Sequence, residues 1–213
     1  MPSIEAPGDV ARLVREHVVG EADAPLHGAT FDGRRLVLAA GNRLLRLVPD
    51  SGRVVDQLET FPEPGGLAYD GRCLWQCSEG RVQRLDARTG SVVRAISLRL
   101  GELAGLECIG HDLLVLHAAG RAMSRVETFD ATALVDVAAS APMRGLAWVG
   151  GQLWSSMAGW LCRVDAASAR VAARVSIAQG IDVIDLAGDD AGRIWCVDGR
   201  SRVLRAFVTQ EAR

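Results

Sequence analysis

Short apolar runs alternate along this chain with tight turns rich in Gly and Asp, and the alternation itself recurs. Five segments read alike: GATFDGRRLVLAA from Gly28, GLAYDGRCLWQCS from Gly66, GLECIGHDLLVLH from Gly105, GLAWVGGQLWSSM from Gly145 and DLAGDDAGRIWCVD from Asp185. Most continue into an Arg-containing alternating run with an Asp-centred turn (LLRLVPDSG, VQRLDARTG, MSRVETFDA, LCRVDAASA), then a last alternating run (RVVDQL, SVVRAISL, ALVDVA, RVAARVSI). The equivalent apolar positions Leu36, Leu74, Leu113, Leu153 and Ile194 are spaced by 38, 39, 40 and 41 residues. Four short strands in about 40 residues, joined by turn signals, are the unit of a β-propeller blade. Helical repeats of similar period need a 3.6-residue rhythm and few internal Asp-Gly turns, and these segments have neither.

The pattern therefore predicts an all-β chain, a five-bladed β-propeller in a single domain. Its blades fall at about 25–60, 61–98, 99–138, 139–178 and 179–208. The fifth unit reaches only three strands. Residues 11–19, ahead of the first unit, can supply the missing outermost strand, so that an N-terminal strand closes the last blade and removes an exposed edge. The same stretch carries a rival pattern: Val10, Leu13, Val14, His17 and Val18 also fit a helical stripe with Asp9 as its N-cap.

Composition narrows the function classes. The 213 residues carry 24 basic and 26 acidic side chains, a formal charge of −2 with no long run of one sign, which argues against nucleic acid, whose binding needs a basic face. No apolar stretch approaches the roughly 18 residues that span a bilayer. The first twenty residues carry Glu5, Asp9, Arg12, Arg15 and Glu16, so no signal-peptide run is expected and the chain reads as cytoplasmic. Five cysteines read as reduced, core-filling thiols. Cys73 and Cys77 resemble a metal pair, but four residues along one strand hold them about 13 Å apart, too far for one ion. Neither a metal nor a cofactor is expected. There is no strand-to-helix phosphate loop, no nucleophile-elbow serine and no His pair at helical metal spacing.

Strands that run up and down place their connections alternately on two faces. The first-to-second and third-to-fourth turns are short and stereotyped (Asp32-Gly33, Asp70-Gly71, Asp50-Ser51-Gly52), so variable chemistry belongs on the other face. There the blade-to-blade loops carry Asp23 and His27, Glu59 and Glu63, Glu102, Arg144, and Asp182 and Asp185. The second-to-third-strand loops carry Glu79, His117, Trp160, Asp198 and Arg200. Acids, histidines, arginines and a tryptophan thus converge on one axial mouth. Each also has a plain role: a histidine filling a strand end, an arginine paired with a neighbouring acid, an aspartate capping a turn. Trp75, Trp154 and Trp195 share one strand position and read as blade core, whereas Trp160, read as a loop residue, is free to line a pocket.

Three stretches, REHVVGEADAPLHGATFDG, QLWSSMAGWLCRVDAASARV and GRIWCVDGRSRVLRAF, are similar to the opening segment, fourth blade and closing blade of the plant and bacterial glutamine cyclotransferase (glutaminyl cyclase) family. The resemblance runs from about Glu16 to Val208 and implies a five-bladed propeller closed by its N-terminal strand. By this resemblance the family's second-blade Gly-Glu-Gly falls on Pro64-Gly65-Gly66, without its Glu, while Glu102-Leu103-Ala104-Gly105-Leu106 keeps the third-blade Glu and loses the Trp. Met143-Arg144-Gly145-Leu146-Ala147 loses the fourth-blade Asn and both acids, and Asp198-Gly199-Arg200 keeps a cation.

Two readings follow. The first is a cytosolic propeller that binds a small molecule or a peptide terminus at the axial mouth, without the family's cyclase activity, with Arg144, Trp160, His117, Asp198 and Arg200 as ligand-binding candidates. The alternative is a diverged cyclotransferase-like or other small-molecule enzyme using the same pocket. It draws on Glu102, His27 and Asp185 for proton transfer and on Arg144, Arg200 or Trp160 as donors to a developing oxyanion.

Overall fold

A computed structural model describes residues 10–19, 24–60, 65–78, 80–117, 119–128 and 133–209. Its strands follow the turns. In three of the first-to-second-strand turns an aspartate side chain takes up the amides that the reversal leaves unpaired. Asp32 Oδ1 accepts from Arg34 N and Arg35 N, Asp70 Oδ1 from Arg72 N and Cys73 N, and Asp189 Oδ1 from Ala191 N and Arg193 N. This is the local bonding that makes Asp a turn former.

The first strand among the described residues is β1 (Arg12–Val18). Blade 1 follows as β2 (Leu26–Phe31), β3 (Leu36–Ala40), β4 (Arg43–Leu47) and β5 (Val54–Glu59). Blade 2 is β6 (Leu67–Tyr69), β7 (Cys73–Ser78), β8 (Arg81–Asp86) and β9 (Val92–Ser97). Blade 3 is β10 (Leu103–Ile109), β11 (Asp112–His117), β12 (Ala122–Glu127) and β13 (Ala133–Ala138). Blade 4 is β14 (Arg144–Val149), β15 (Gln152–Met157), β16 (Trp160–Val164) and β17 (Val171–Ser176). Blade 5 is β18 (Val183–Gly188), β19 (Ile194–Asp198) and β20 (Val203–Val208), completed by β1 in the order β1-β20-β19-β18. The result is five antiparallel four-stranded sheets, a five-bladed β-propeller.

The N-terminal segment is thus a strand and not a helix. β1 pairs antiparallel with β20 from Arg12↔Val208 to Val18↔Val203. Ala11 N donates to Ser176 O on the outermost strand of blade 4, and Val19 N to Arg202 O. Side-chain contacts fix the register: Glu16 pairs with Arg205 at 2.8 Å, and His17 stacks on Trp195 at 5.5 Å while its Nε2 bonds Pro49 O at 2.7 Å. What decides against the helix is the open edge of β20, whose amides and carbonyls need partners.

Burial peaks at the second strand of a blade and falls away towards the rim. The second strand β3 is buried at every position, whereas the outermost β9 reads exposed at five of its six. A strand covered on both faces needs continuous apolar sequence; a rim strand does not. Among the described residues the apolar side chains gather not into one core but into five clusters, each at a seam between neighbouring blades. Trp195 of blade 5, for example, packs with Leu36 and Leu38 of blade 1, and Trp75 of blade 2 with Leu113 and Val115 of blade 3.

At the axis the repeat places Gly28, Gly66, Gly105 and Gly145 in four blades and Asp185 in the fifth. A Cβ on Gly66 would lie 2.9 Å from the Gly105 Cα, one on Gly105 3.1 Å from the Gly145 Cα, and one on Gly145 2.6 Å from the Asp185 Cα. Close approach of backbones around the centre is what the glycines allow.

Candidate functional site

Blade-to-blade connections and the second-to-third-strand turns meet on one face. Between blades 4 and 5 they enclose a cleft of about 400 Å³, lined among others by Met143, Arg144, Ser156, Met157 and Asp182. Arg144 opens β14 and Asp182 immediately precedes β18, so two neighbouring inner strands present one cation and one acid at the same height. Arg144 Nη1 donates to Asp182 Oδ1 at 3.0 Å, and Arg200, in the β19–β20 connection, approaches Asp182 Oδ2 at 3.7 Å. Two guanidiniums therefore share one carboxylate. Below them the hydroxyl of Ser156 donates to Arg144 O at 2.8 Å, and that of Ser155 to Gly145 O at 2.7 Å, holding the start of β14 in place.

Asp185 lies deeper. It is fully buried, and its Oδ2 accepts the Ala29 amide at 3.0 Å. Burial pushes this carboxyl well above the usual carboxylate range; the amides of Ala29, Leu186 and Leu67 pull the other way, and the charge of Glu107 adds to the push. Oδ1 is buried without a hydrogen-bond partner among the described residues. The residue closes the middle of the axis, where inward-facing amides of three blades meet its carboxyl.

The other candidates divide. Glu102 is exposed in the connection that leads into β10 and has no hydrogen bond or ion pair among the described residues. His27 is partly buried as the second residue of β2, at the point where the β2–β3 register shifts. His117 ends β11, and its Nε2 contacts both Ser124 Oγ (2.8 Å) and Asp136 Oδ1 (3.0 Å), while Ser124 donates to the same Asp136 oxygen. One ring nitrogen meets both partners, so this row ties three strands of blade 3 rather than relaying a proton from hydroxyl to carboxylate. Asp198 accepts Arg200 N, Ser201 N and the Ser201 hydroxyl, and pairs with Arg205. Burial raises its carboxyl pKa, but these donors outweigh burial and hold it below the usual value.

Trp160 is not a loop residue. It is the first residue of β16, paired with Met157 and Ser176, and it packs on the cluster between blades 3 and 4. His27, Glu59, Arg144, His117 and Asp198 likewise lie at strand ends, because the ladders continue past the point where apolar sequence stops, and Asp185 lies inside β18. The cleft thus brings Arg144 and Asp182 together with Arg200 beside them, and places His117, Asp198 and Asp185 in separate networks. Asp23, Glu63 and Glu79 lie outside the described residues. The sequence reading missed Ser156 and Met157. Nothing marks them in the sequence beyond their place at the end of β15. Among the described residues no group of three or more His, Cys, Asp or Glu stands together as a set of metal ligands.

The architecture is that of the five-bladed propellers. The chain is similar in structure to glutaminyl cyclase of Myxococcus xanthus, with a TM-score of 0.80 at 18% identity, covering 97% of this chain and 100% of that one. It is also similar, more distantly, to hydrazine synthase of Kuenenia stuttgartiensis, with a TM-score of 0.55 at 17% identity over 84% of this chain and 59% of that one. No protein-family model and no curated protein sequence matches the chain. At these identities the likeness establishes the fold.

Proposed function

We propose that this protein is a binding propeller that takes the carboxylate end of a small molecule or peptide in the cleft between blades 4 and 5. The observation that carries the reading is the sharing of Asp182 by Arg144 and Arg200, which leaves a net positive charge at the cleft. Both guanidiniums are mostly exposed, at 59% and 76%, so trading Asp182 for a ligand carboxylate costs little. The planar fork of arginine matches a carboxylate with two parallel bonds. Met143 and Met157 give the cleft an adaptable apolar wall.

Calorimetric titration with N-acetylmethionine and with its amide tests this. The acid is expected to bind at least tenfold more tightly than the amide, and Arg144→Ala and Arg200→Ala each to weaken the acid about tenfold. Equal binding of acid and amide, or an unaffected Arg144→Ala, overturns the reading.

The alternative, a diverged glutaminyl cyclase, is favoured by the structural likeness over 97% of the chain. The placement of the acids weighs against it: Glu102 faces solvent and Asp185 is sealed at the axis. Ammonia release from a glutaminyl dipeptide above background would restore it.

A further inference from the structure

On the opposite face, where each innermost strand turns into the second, the axis opens again. The residue paired across from the repeat's Leu or Ile is Phe31 in blade 1, Tyr69 in blade 2, Cys108 in blade 3, Trp148 in blade 4 and Gly188 in blade 5. Three aromatic residues and two small ones thus occupy one level of the innermost strands, and all five line a single cavity of about 260 Å³; Phe31 also packs on the cluster between blades 5 and 1, and Tyr69 on that between blades 1 and 2. A Cβ on Gly188 would come within 2.3 Å of the Val149 side chain, so that blade must stay bare for blade 4 to approach.

One position earlier, four blades carry Thr30, Ala68, Ala147 and Ala187, and the third carries Glu107. Its carboxyl group lies in the same cavity, where Oε1 accepts Cys108 N at 2.8 Å and Oε2 accepts Trp148 N at 2.7 Å. No basic side chain pairs with it among the described residues, and the other acid of the lining, Asp190, adds negative charge. A half-buried carboxylate without a counter-ion is costly, and aromatic rings attract cations through their quadrupoles within about 6 Å. A hard metal ion would need about six oxygen ligands, which rings cannot supply. A neutral apolar ligand would leave the acid unexplained.

We propose that this second mouth is an aromatic cage for an organic ammonium ion, with Phe31, Tyr69 and Trp148 around the cation and Glu107 as its counter-ion. The site lies on the other face from the Arg144 cleft and stands independently of the function proposed there. Its volume is below that of a drug-sized pocket and suits a methylated ammonium head group, whether of a free small molecule or of a lysine side chain.

Burial pushes the Glu107 carboxyl up to about 7, against the two amides that bond it. Cation binding therefore displaces a proton below that pH, and affinity rises from pH 6 to pH 8. The neighbouring ionisable groups do not reverse the trend. Tyr69 and Cys108 are pushed further up by burial and stay neutral; Asp190 is exposed. Asp112 and Asp70 are paired with Arg125 and Arg84; β14 brings only Trp148 to this level. Asp185, higher on the axis, has a raised pKa of its own and, if it ionised, would add to the pull on a cation.

The test titrates the protein with choline, with its uncharged isostere 3,3-dimethyl-1-butanol, and with the amide of Nα-acetyl-Nε-trimethyllysine, by calorimetry and by proton NMR of the N-methyl groups. Choline or the lysine derivative is expected to bind at least tenfold more tightly than the alcohol, with N-methyl signals shifted upfield by the rings. The tighter of the two cations identifies the source. Trp148→Ala and Tyr69→Ala should each weaken binding fivefold or more, Trp148→Phe should retain it, and Glu107→Gln should abolish its pH dependence. Equal binding of the alcohol, binding that survives Trp148→Ala combined with Tyr69→Ala, or no binding of either cation at 10 mM overturns the proposal.

Discussion

Asp185 of the fifth blade and Ala29 of the first stand 156 positions apart in sequence, and the carboxyl of one accepts the amide of the other at 3.0 Å. The bond spans the seam where the end of the chain meets its beginning. At that level the other blades offer only glycine, so a single side chain fills the centre of the ring and takes up inward-facing amides that no strand can reach. Closure of the propeller is therefore made twice, at the axis by Asp185 and at the rim by β1.

Removing the axial acceptor should cost stability through unsatisfied donors and not through lost charge. Asp185→Ala leaves buried amides without a partner, a penalty of about 1–3 kcal/mol for each donor stranded. Asp185→Asn keeps an acceptor oxygen and removes a carboxyl that burial already disfavours in its charged form. Urea unfolding at pH 8 should therefore find Asp185→Ala clearly destabilised and Asp185→Asn as stable as the natural chain or more so. A neutral Asp185→Ala would show that the centre needs no acceptor.

The two axial acids also set the pH dependence. Burial raises the folded-state values of both Glu107 and Asp185 above those of an unfolded chain. Between about pH 4.5 and 7 the folded protein thus holds protons that the unfolded chain releases, and stability falls as pH rises through that window. For Glu107, moved from 4.5 to about 7, the effect is at most about 3 kcal/mol. Asp70 and Asp198 act in the opposite sense. In both, burial is outweighed by donors, which hold them below the usual value, so stability is lost as pH falls through the acid range. Denaturation midpoints should peak near pH 5, and Glu107→Gln with Asp185→Asn should flatten the decline towards pH 8. A curve rising from pH 5 to 8 would contradict both assignments.

Much of this was legible in the repeat. Residues spaced near forty apart occupy equivalent strand positions, from Leu36 to Ile194, and the Asp-Gly turns fall where the strands reverse. The site was harder to read, because polar residues at strand ends look like loops. Trp160 continues a ladder that its apolar neighbours do not announce, and Arg144 sits at a register shift that turns it towards Asp182. Glu107 did carry a signal, an acid in a column of Thr and Ala, on the face that short stereotyped turns made look inert. The N-terminal stretch was ambiguous because most of its apolar residues are not core: Val10, Leu13 and Val18 are 68%, 48% and 73% exposed, and Val14 alone of the stripe packs on the blade 5/1 cluster. Only the edge of β20, distant in sequence, settles its form.

That edge yields the last prediction. Without residues 1–19, β20 would present unpaired amides and carbonyls, and the His17–Trp195 stack and Glu16–Arg205 pair would be lost. The pair alone is half exposed on the Glu16 side, so Glu16→Ala should cost under about 1 kcal/mol. Deleting the strand removes a full ladder; at roughly 2–4 °C per kcal/mol for a chain of this size, the melting temperature should fall by about 10 °C. An open edge also templates pairing between chains, so the shortened protein should elute at larger apparent size than the full chain. Adding a synthetic peptide of residues 10–19 should restore both properties by supplying the missing strand. A shortened protein that melts and elutes like the full chain would show that blade 5 is stable with three strands.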